Sequence, residues 1–211
     1  MVNVLYIHGM GGGADSRIPS ILSEEFAGTD VRVVVRTYDF DPEIAESQIS
    51  GWVDEFEPSL IIGESLGFLH ALRITCVPRI LVSPAMNAPQ YFAVLSWLTM
   101  LPFVSRYFDR LYKPREGDRQ IPQFKPVILK KYLPYRKSVL HRGVSTGKGN
   151  PCYAFFGTKD HFRRSGIVSI RTWKKYFGDS FSIYDGSHFM EDEYVRTELK
   201  FCIENMLAGN K

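Results

Sequence analysis

Short apolar runs, each bounded by Gly, Pro or Asp, recur along the 211-residue chain. Several are continuous rather than alternating, which is typical of strands covered on both faces, as in a parallel sheet. Their richness in Val, Ile, Tyr and Phe also favours strands. Six such runs are predicted as buried strands, at 2–7, 31–38, 60–62, 79–83, 152–156 and 181–184.

Helical patterns lie between most of these strands, at 16–26, 43–56, 66–75, 167–177 and 192–207. Strands that alternate with helices predict an α/β fold with a doubly wound, mostly parallel sheet of about six strands. In such sheets ligands bind at the carboxyl ends of the strands. The loops that follow the strands are therefore where we expect the functional residues.

The segment 87–150 interrupts the alternation, because it runs for about sixty residues without a clear strand and is too long for a plain loop. Prolines divide it into short pieces, at Pro89, Pro102, Pro114, Pro122 and Pro126. We predict a helical lid or cap insertion at 87–150, with a core formed by 1–86 and 151–211. The insertion is expected to cover the site.

Aromatic side chains mark the first part of this insertion, at Phe92, Trp97, Phe103 and Tyr107. They suit the pocket of an apolar acyl group. They would equally serve to bury the insertion against the core, and this second interpretation is favoured for most of them.

Charge is distributed unevenly, although the chain as a whole carries only +3. Between Arg106 and Lys148 there are 12 Lys and Arg but three acidic residues, so this segment carries +9 and the remainder −6. Such a segment could attract an anionic leaving group such as coenzyme A, an acidic lipid surface or nucleic acid. A solvated lid face is the more ordinary explanation, and we expect no specific nucleic-acid binding.

Composition and the chain's first residues narrow the class of protein. An apolar fraction of 45% indicates a globular domain with a sizeable core. Three widely spaced cysteines without C-x-x-C spacing predict neither a zinc site nor a redox motif, and we expect them to be reduced and buried. The first residues lack a basic n-region, and the longest apolar stretch, 91–104, is too short to span a membrane. We expect a cytoplasmic protein without a transmembrane segment.

The sequence Gly63-Glu64-Ser65-Leu66-Gly67 follows the third predicted strand and precedes a helical pattern. A serine there would lie on a sharp, strained turn above the sheet, and the flanking glycines avoid collisions with neighbouring elements. Helix N-terminal amides at this place favour negative charge as it develops. A plain strand-to-helix turn is the alternative.

A nucleophilic serine needs a base that is oriented by a third group, and on this kind of fold the chain order is Ser, then Asp or Glu, then His. Asp160 follows the fifth predicted strand, and His188 lies after the sixth strand, just before the last helix. Asp185 and Asp39 remain alternative acids, although Asp185 better suits a turn.

The other histidines are weaker candidates for the base. His161 is adjacent to the proposed acid, His70 is expected to be packed behind the serine, and His141 lies in the insertion and is expected to be solvated.

Stabilisation of an oxyanion requires backbone N–H donors. One is expected from Leu66, which follows the serine, and the other from the glycine-rich loop 8–13, "HGMGGG". A phosphate-binding loop would need G-x-x-x-x-G-K-[ST] or G-x-G-x-x-G with a following acid, and the chain has neither. We therefore expect no nucleotide, no other cofactor and no metal.

Four segments together resemble the α/β-hydrolase fold: "YIHGMGGG", "IIGESLG", "FFGTKD" and "DGSHF". The small size is similar to that of compact bacterial members such as YqiA-like esterases. The resemblance covers about 1–86 and 151–208, but not the insertion. It implies Ser65 as nucleophile, His188 as base and Asp160 as the orienting acid. It also implies the amides of Met10 and Leu66 as oxyanion donors.

The predicted function is a serine hydrolase that cleaves a small-molecule carboxylic ester or thioester through an acyl-enzyme on Ser65, including substrates with an anionic leaving group. The alternative is an inactive binding module on the same fold, which would dock an acidic partner through its basic insertion.

Overall fold

The computed structural model describes residues 1–112, 117–145 and 150–209. Six strands form one parallel sheet in the order β2-β1-β3-β4-β5-β6. The strands are β1 (Val2–Ile7), β2 (Val31–Val35), β3 (Leu60–Glu64), β4 (Arg79–Val82), β5 (Cys152–Gly157) and β6 (Phe181–Tyr184). The predicted fold class, a doubly wound parallel sheet, is confirmed.

Helices α1 to α7 lie between the strands, and α8 and α9 follow β6: α1 (Arg17–Glu25), α2 (Pro42–Phe56), α3 (Phe68–Ala71), α4 (Ala88–Leu98), α5 (Pro102–Leu111), α6 (Pro126–Ser145), α7 (Ile170–Phe177), α8 (Asp192–Tyr194) and α9 (Lys200–Ala208). A π-helical turn, Val195–Leu199, joins α8 to α9. The predicted helices lie at these places, although the one predicted at 66–75 is reduced to α3, because i→i+3 hydrogen bonds from Arg73 and Ile74 tighten the chain into turns.

Alternate residues of the strands pack on opposite faces of the sheet, as the pleat requires. In β1, Leu5 and Ile7 belong to the core cluster under α2, α3, α6 and α7, whereas Val4 and Tyr6 belong to the cluster under α1 and the C-terminal helices. All four side chains are fully buried. Continuous apolar runs in the sequence therefore correspond to strands covered on both faces.

The strand order reverses direction between β1 and β3, since β2 lies on one side of β1 and β3 on the other. The loops that follow β1 and β3 consequently lie side by side at the carboxyl edge of the sheet. This is the place where parallel α/β sheets bind ligands, and it holds both the glycine-rich loop and Ser65.

The segment between β4 and β5 contains α4, α5 and α6, and three of its prolines mark the first turns of these helices: Pro89, Pro102 and Pro126. Proline suits this position because the first helical N–H groups have no intrahelical acceptor. Pro114 and Lys148 lie outside the described residues.

Two expectations about burial were wrong. Phe92 is buried, but Trp97, Phe103 and Tyr107 are 61–70% exposed, so most of these aromatics do not bury the insertion against the core. Cys76 is exposed, and the other two free cysteines, Cys152 and Cys202, are only partly buried. No helix in the described part of the chain is both long and apolar enough to cross a bilayer.

Candidate active site

Ser65 lies directly after β3, with a φ of +48° in the left-handed region that non-glycine residues rarely adopt. Steric contacts explain why the residues at positions 63 and 67 are glycines. A Cβ on Gly67 would lie 2.4 Å from the carbonyl oxygen of Ile7, and one on Gly63 would lie 2.7 Å from the Cβ of Ala71. The local sequence therefore permits a strained turn that a bulkier pentapeptide could not form.

His188 connects this serine to a carboxylate. Its Nε2 is 2.9 Å from Ser65 Oγ, and its Nδ1 is 2.8 Å from an oxygen of Asp160. His188 and Asp160 are 2% and 3% exposed, and the second oxygen of Asp160 accepts a hydrogen bond from the N–H of Phe162 at 2.8 Å. With the proton on Nδ1 donated to Asp160, Nε2 is left to accept a proton from the serine hydroxyl.

The loop that carries His188 is fixed from two sides. On one side it packs so closely on the loop after β5 that a Cβ on Gly157 would lie 2.3 Å from the carbonyl oxygen of Gly186. On the other side Arg17 of α1 donates to the Met190 carbonyl oxygen at 2.6 Å and pairs with Asp192. Arg17, which the sequence did not indicate, thus holds the histidine loop against α1.

The alternative acids are engaged elsewhere. Asp185 accepts hydrogen bonds from the Thr158 hydroxyl and from Lys159 Nζ, and these contacts lower the pKa of its carboxyl group. Asp39 accepts from the N–H of Asp41 at the start of α2. The structure therefore brings Asp160, rather than Asp185 or Asp39, to His188.

The other histidines lie where the sequence indicated. His70 is buried behind Ser65, with its Nδ1 3.0 Å from the Tyr135 hydroxyl, and burial lowers its pKa to about 3. His161 and His141 are exposed. His161 lies beside the acid's loop, with its ring centroid 6.2 Å from that of His188.

The glycine-rich loop passes directly beside the serine, since a Cβ on Gly9 would lie 3.0 Å from the Cβ of Ser65. It carries the N–H of Met10, while Leu66 follows the serine itself. Within the described residues neither of these N–H groups is donated to another group of the chain. Two backbone donors thus remain available next to Ser65.

His8 anchors the start of this loop. Its ring stacks on Tyr38 with centroids 4.3 Å apart, and the Tyr38 hydroxyl donates to the His8 carbonyl oxygen at 2.6 Å. Burial lowers the pKa of His8 to about 4, so the imidazole is neutral at pH 7.

Gln120 holds the same loop from the insertion. Its side-chain oxygen accepts from the N–H of Gly11 at 3.1 Å, its amide nitrogen donates to the Tyr38 carbonyl oxygen at 3.2 Å, and its backbone N–H donates to Gly12 at 2.7 Å. It is 5% exposed. The sequence offered no signal for this residue, because its partners lie more than 80 positions away.

A cavity of about 430 Å³ opens over Ser65 and His188. Its charged lining residues are Arg17, Glu64 and Arg119, and its apolar side chains include Ile18, Met10, Phe162 and Phe189. Of the described part of the insertion, Arg119 reaches this cavity, while α4 and α5 do not line it.

A neighbouring cavity of about 260 Å³ is also lined by Met10, Gly11 and Arg119, and adds Leu111 and Tyr112 from the end of α5.

Across the described ranges, no cluster of three or more His, Cys, Asp or Glu side chains could hold a metal ion.

No protein-family model matches the sequence, and no curated protein matches it by sequence. Solved structures do match. The chain is similar to a monoacylglycerol lipase from Paleococcus ferrophilus, with a TM-score of 0.65 and 17% identity over 99% of this chain and 95% of that one. Mouse alpha/beta hydrolase domain-containing protein 10 matches with a TM-score of 0.66 and 13% identity, over 99% and 90% of the two chains.

A thioesterase domain from the curacin biosynthetic pathway matches with a TM-score of 0.57 and 16% identity, over 99% of this chain and 91% of that one. At identities this low the likeness concerns the arrangement of strands and helices. Together with the parallel six-stranded sheet, these neighbours show that the chain adopts the α/β-hydrolase fold.

Proposed function

We propose that this chain is a serine hydrolase that cleaves a carboxylic ester or thioester through an acyl-enzyme on Ser65. The observation that carries the proposal is the continuous path of hydrogen-bonding distances from Ser65 Oγ through His188 to Asp160. Each residue comes from a different loop at the carboxyl edge of the sheet, and the left-handed turn at Ser65 projects the hydroxyl into the cavity.

In the proposed acylation step, His188 Nε2 accepts the hydroxyl proton while Ser65 Oγ attacks the carbonyl carbon of the substrate. Asp160 holds the ring orientation and stabilises the imidazolium. When the tetrahedral intermediate collapses, His188 returns the proton to the departing alcohol or thiol. Water then attacks the acyl-enzyme with His188 again as base, which releases the acid and restores the serine.

The developing oxyanion would be bound by the N–H groups of Met10 and Leu66. Preorganised donors of this kind stabilise a transition state by several kcal/mol. The contact between Gly9 and Ser65 supports this role, because it brings the loop of Met10 against the reacting centre.

A carboxylic ester or thioester is the favoured substrate class, since the structural neighbours include a monoacylglycerol lipase and a thioesterase domain. The cavity has room for a small molecule, with apolar walls from Phe162 and Phe189. Arg119, whose Nε pairs with Asp15 at 2.8 Å, lines this cavity, and among the described residues of the basic segment it is the cation that would meet an anionic leaving group there. Nothing in this reaction requires a cofactor.

Labelling with a fluorescent fluorophosphonate tests the proposal. The full chain should be labelled, Ser65→Ala should lose the label, and His188→Ala should be labelled far more slowly. Ester turnover should fall by about 10⁴-fold or more in both variants. Ser20→Ala, which changes an exposed serine of α1, is the matched control and should behave as the unaltered chain.

A chain that is folded by circular dichroism, yet has a Ser65 inert to the probe, would contradict the proposal. It would instead favour a non-catalytic module that docks an acidic partner through the basic insertion.

A further inference from the structure

The outward surface of α4, α5 and their connection is unusually apolar. Nine large apolar side chains there are 45–70% exposed: Tyr91, Val94, Trp97, Leu98, Met100, Leu101, Phe103, Tyr107 and Leu111. They form what we call the α4–α5 face. In the described part of the chain they make up nine of the sixteen exposed large apolar residues, within only 21 positions. Such clustering marks an interaction surface rather than scattered exposure.

The periodicity of α5 shows that this surface is not needed to hold the helix in place. Phe108 and Tyr112 face inward and stack on Phe124, with ring centroids 4.5 and 4.8 Å apart. Phe103 and Tyr107, four positions apart, form a second stripe that faces solvent. The inner stripe therefore anchors α5, and the outer stripe remains available for a partner.

Basic side chains lie beside the apolar residues of the α4–α5 face. Arg106 and Arg110 are exposed on α5, and the Lys130 ammonium of α6 lies 5.5 Å from the centre of the Trp97 ring. The sequence around them, from 106 to 148, carries +9 while the rest of the chain carries −6. The described cations beside this face are therefore Arg106, Arg110 and Lys130, which lie within the basic part of the sequence.

We propose that the α4–α5 face docks this protein onto the surface of an anionic lipid bilayer. Aromatic and aliphatic side chains would enter the boundary between headgroups and acyl chains, while Arg106, Arg110 and Lys130 meet the lipid phosphates. Docking against a second copy of the chain is disfavoured, because a two-fold interface on this face would bring Arg106, Arg110 and Lys130 of two copies together.

The docking surface adjoins the mouth of the site. Leu111, at the end of the outer stripe, lines the 260 Å³ cavity with Tyr112, and this cavity shares Met10, Gly11 and Arg119 with the cavity over Ser65. If Ser65 acts as proposed above, a docked molecule would hold its site close to acyl groups in the bilayer. The docking itself does not depend on that chemistry.

Vesicle sedimentation of the full chain tests the proposal. We expect binding to vesicles of equimolar phosphatidylglycerol and phosphatidylcholine, weaker binding to phosphatidylcholine alone, and loss of binding as salt rises. Ser65→Ala should sediment like the unaltered chain, so a failure of the proposed catalysis leaves this result unaffected.

Tryptophan emission provides a second readout. Trp97 is 70% exposed, Trp173 is fully buried and Trp52 is partly buried. Binding should therefore shift the emission to shorter wavelength through Trp97. Trp97→Phe should remove the shift while most of the sedimentation remains.

Paired variants separate the apolar and charged contributions. Phe103→Ala with Tyr107→Ala should weaken vesicle binding by on the order of tenfold or more, and so should Arg106→Gln with Arg110→Gln. Matched controls elsewhere are Phe201→Ala, which is 64% exposed on α9, and Arg171→Gln with Lys175→Gln on α7. These controls should bind normally.

Three outcomes would overturn the proposal: no binding to anionic vesicles, equal losses in the matched controls, or a dimer in solution that the Phe103 and Tyr107 substitutions dissociate. The last result would assign the face to a second copy of the chain. Apart from Ser65→Ala, these variants change exposed side chains, and circular dichroism verifies that each variant is folded.

Discussion

α5 and α6 belong to the same proline-punctuated, basic segment, yet they contribute to the molecule in opposite ways. Leu129 of α6 is fully buried, and Tyr132 and Val139 beside it belong to the core cluster that covers one face of the sheet. Leu111 of α5 is 55% exposed. The segment between β4 and β5 is therefore not uniform: α6 completes the helix layer of the core, whereas α4 and α5 present a surface.

Polar contacts reinforce the position of α6. Lys131 pairs with Asp41 and Glu43 at the start of α2, at 2.7 Å each, and the Tyr132 hydroxyl donates to the Phe40 carbonyl oxygen. Pro134 lies inside α6 without ending it. Proline normally costs a helix about 3 kcal/mol, so burial of the apolar face of α6 must outweigh this cost.

A matched pair of leucines tests the comparison most directly. Leu129→Ala should lower the free energy of unfolding by about 2–5 kcal/mol, because it leaves a cavity in the core. Leu111→Ala should change it by about 0.5 kcal/mol or less, since its side chain already contacts solvent. Urea unfolding at pH 7 measures both values. Similar losses in the two variants would show that α5 is as integral to the fold as α6.

A buried histidine beneath α6 should make stability depend on pH. His70, which contacts Tyr135 of α6, has a pKa of about 3 in the folded chain, compared with an ordinary value near 6.5. Between pH 3 and pH 6.5 the unfolded chain therefore binds a proton at this histidine, whereas the folded chain does not. The part of the free energy of unfolding that depends on a neutral His70 is fully present above pH 6.5. It is lost as the pH falls toward 3, by about 1.4 kcal/mol per pH unit.

His70→Gln should reduce the slope of the free energy of unfolding against pH by about 1.4 kcal/mol per pH unit between pH 6 and 4.5. Urea unfolding at several pH values measures this slope. His8, whose pKa is about 4, contributes a similar slope that remains in this variant. Gln123→Ala, which changes a partly exposed residue with no titratable group, is the control and should leave the slope as it is. An unchanged slope in His70→Gln would mean that His70 is accessible to protons in the folded chain.

The sequence predicted the parts of the molecule whose cause is local. Continuous apolar runs identified the six strands, and the two glycines around Ser65 predicted a turn that only small residues permit. The order of Ser65, Asp160 and His188 along the chain placed all three at one edge of the sheet, where the structure brings them into hydrogen-bonding distance. The catalytic roles of these residues remain predictions.

Features that depend on contacts between residues far apart in the chain could not be predicted from the sequence. α5 and its C-terminal cap have apolar residues on both sides, at Phe103 and Tyr107 as well as at Phe108 and Tyr112. Periodicity cannot tell which side meets Phe124, because that choice is made by packing between helices. The same limit hid Arg17, whose partners on the histidine loop are more than 170 positions away.

Gln120, in the connection between α5 and α6, provides the smallest and most specific test. Gln120→Ala removes the three side-chain hydrogen bonds, from the Gly11 N–H and to the carbonyl oxygens of Tyr38 and Asp39, that hold the glycine-rich loop to the segment after β2. We expect a loss of about 1–2 kcal/mol in stability from the groups left unpaired. A displaced Met10 N–H should also lower kcat by on the order of tenfold, with a smaller change in KM.

The split between kcat and KM distinguishes positioning from a purely structural role, which would lower stability but leave kcat of the folded enzyme unchanged. Gln120→Glu retains the acceptor for the Gly11 N–H but loses the donor to the Tyr38 carbonyl oxygen, so it should recover part of the rate. Gln123→Ala, three residues further along and partly exposed, is the matched control. If Gln120→Ala turns over ester at the same kcat as Gln123→Ala, the insertion does not position the glycine-rich loop for catalysis. Among the described residues of the insertion, Arg119 would then be the one that contributes to the site.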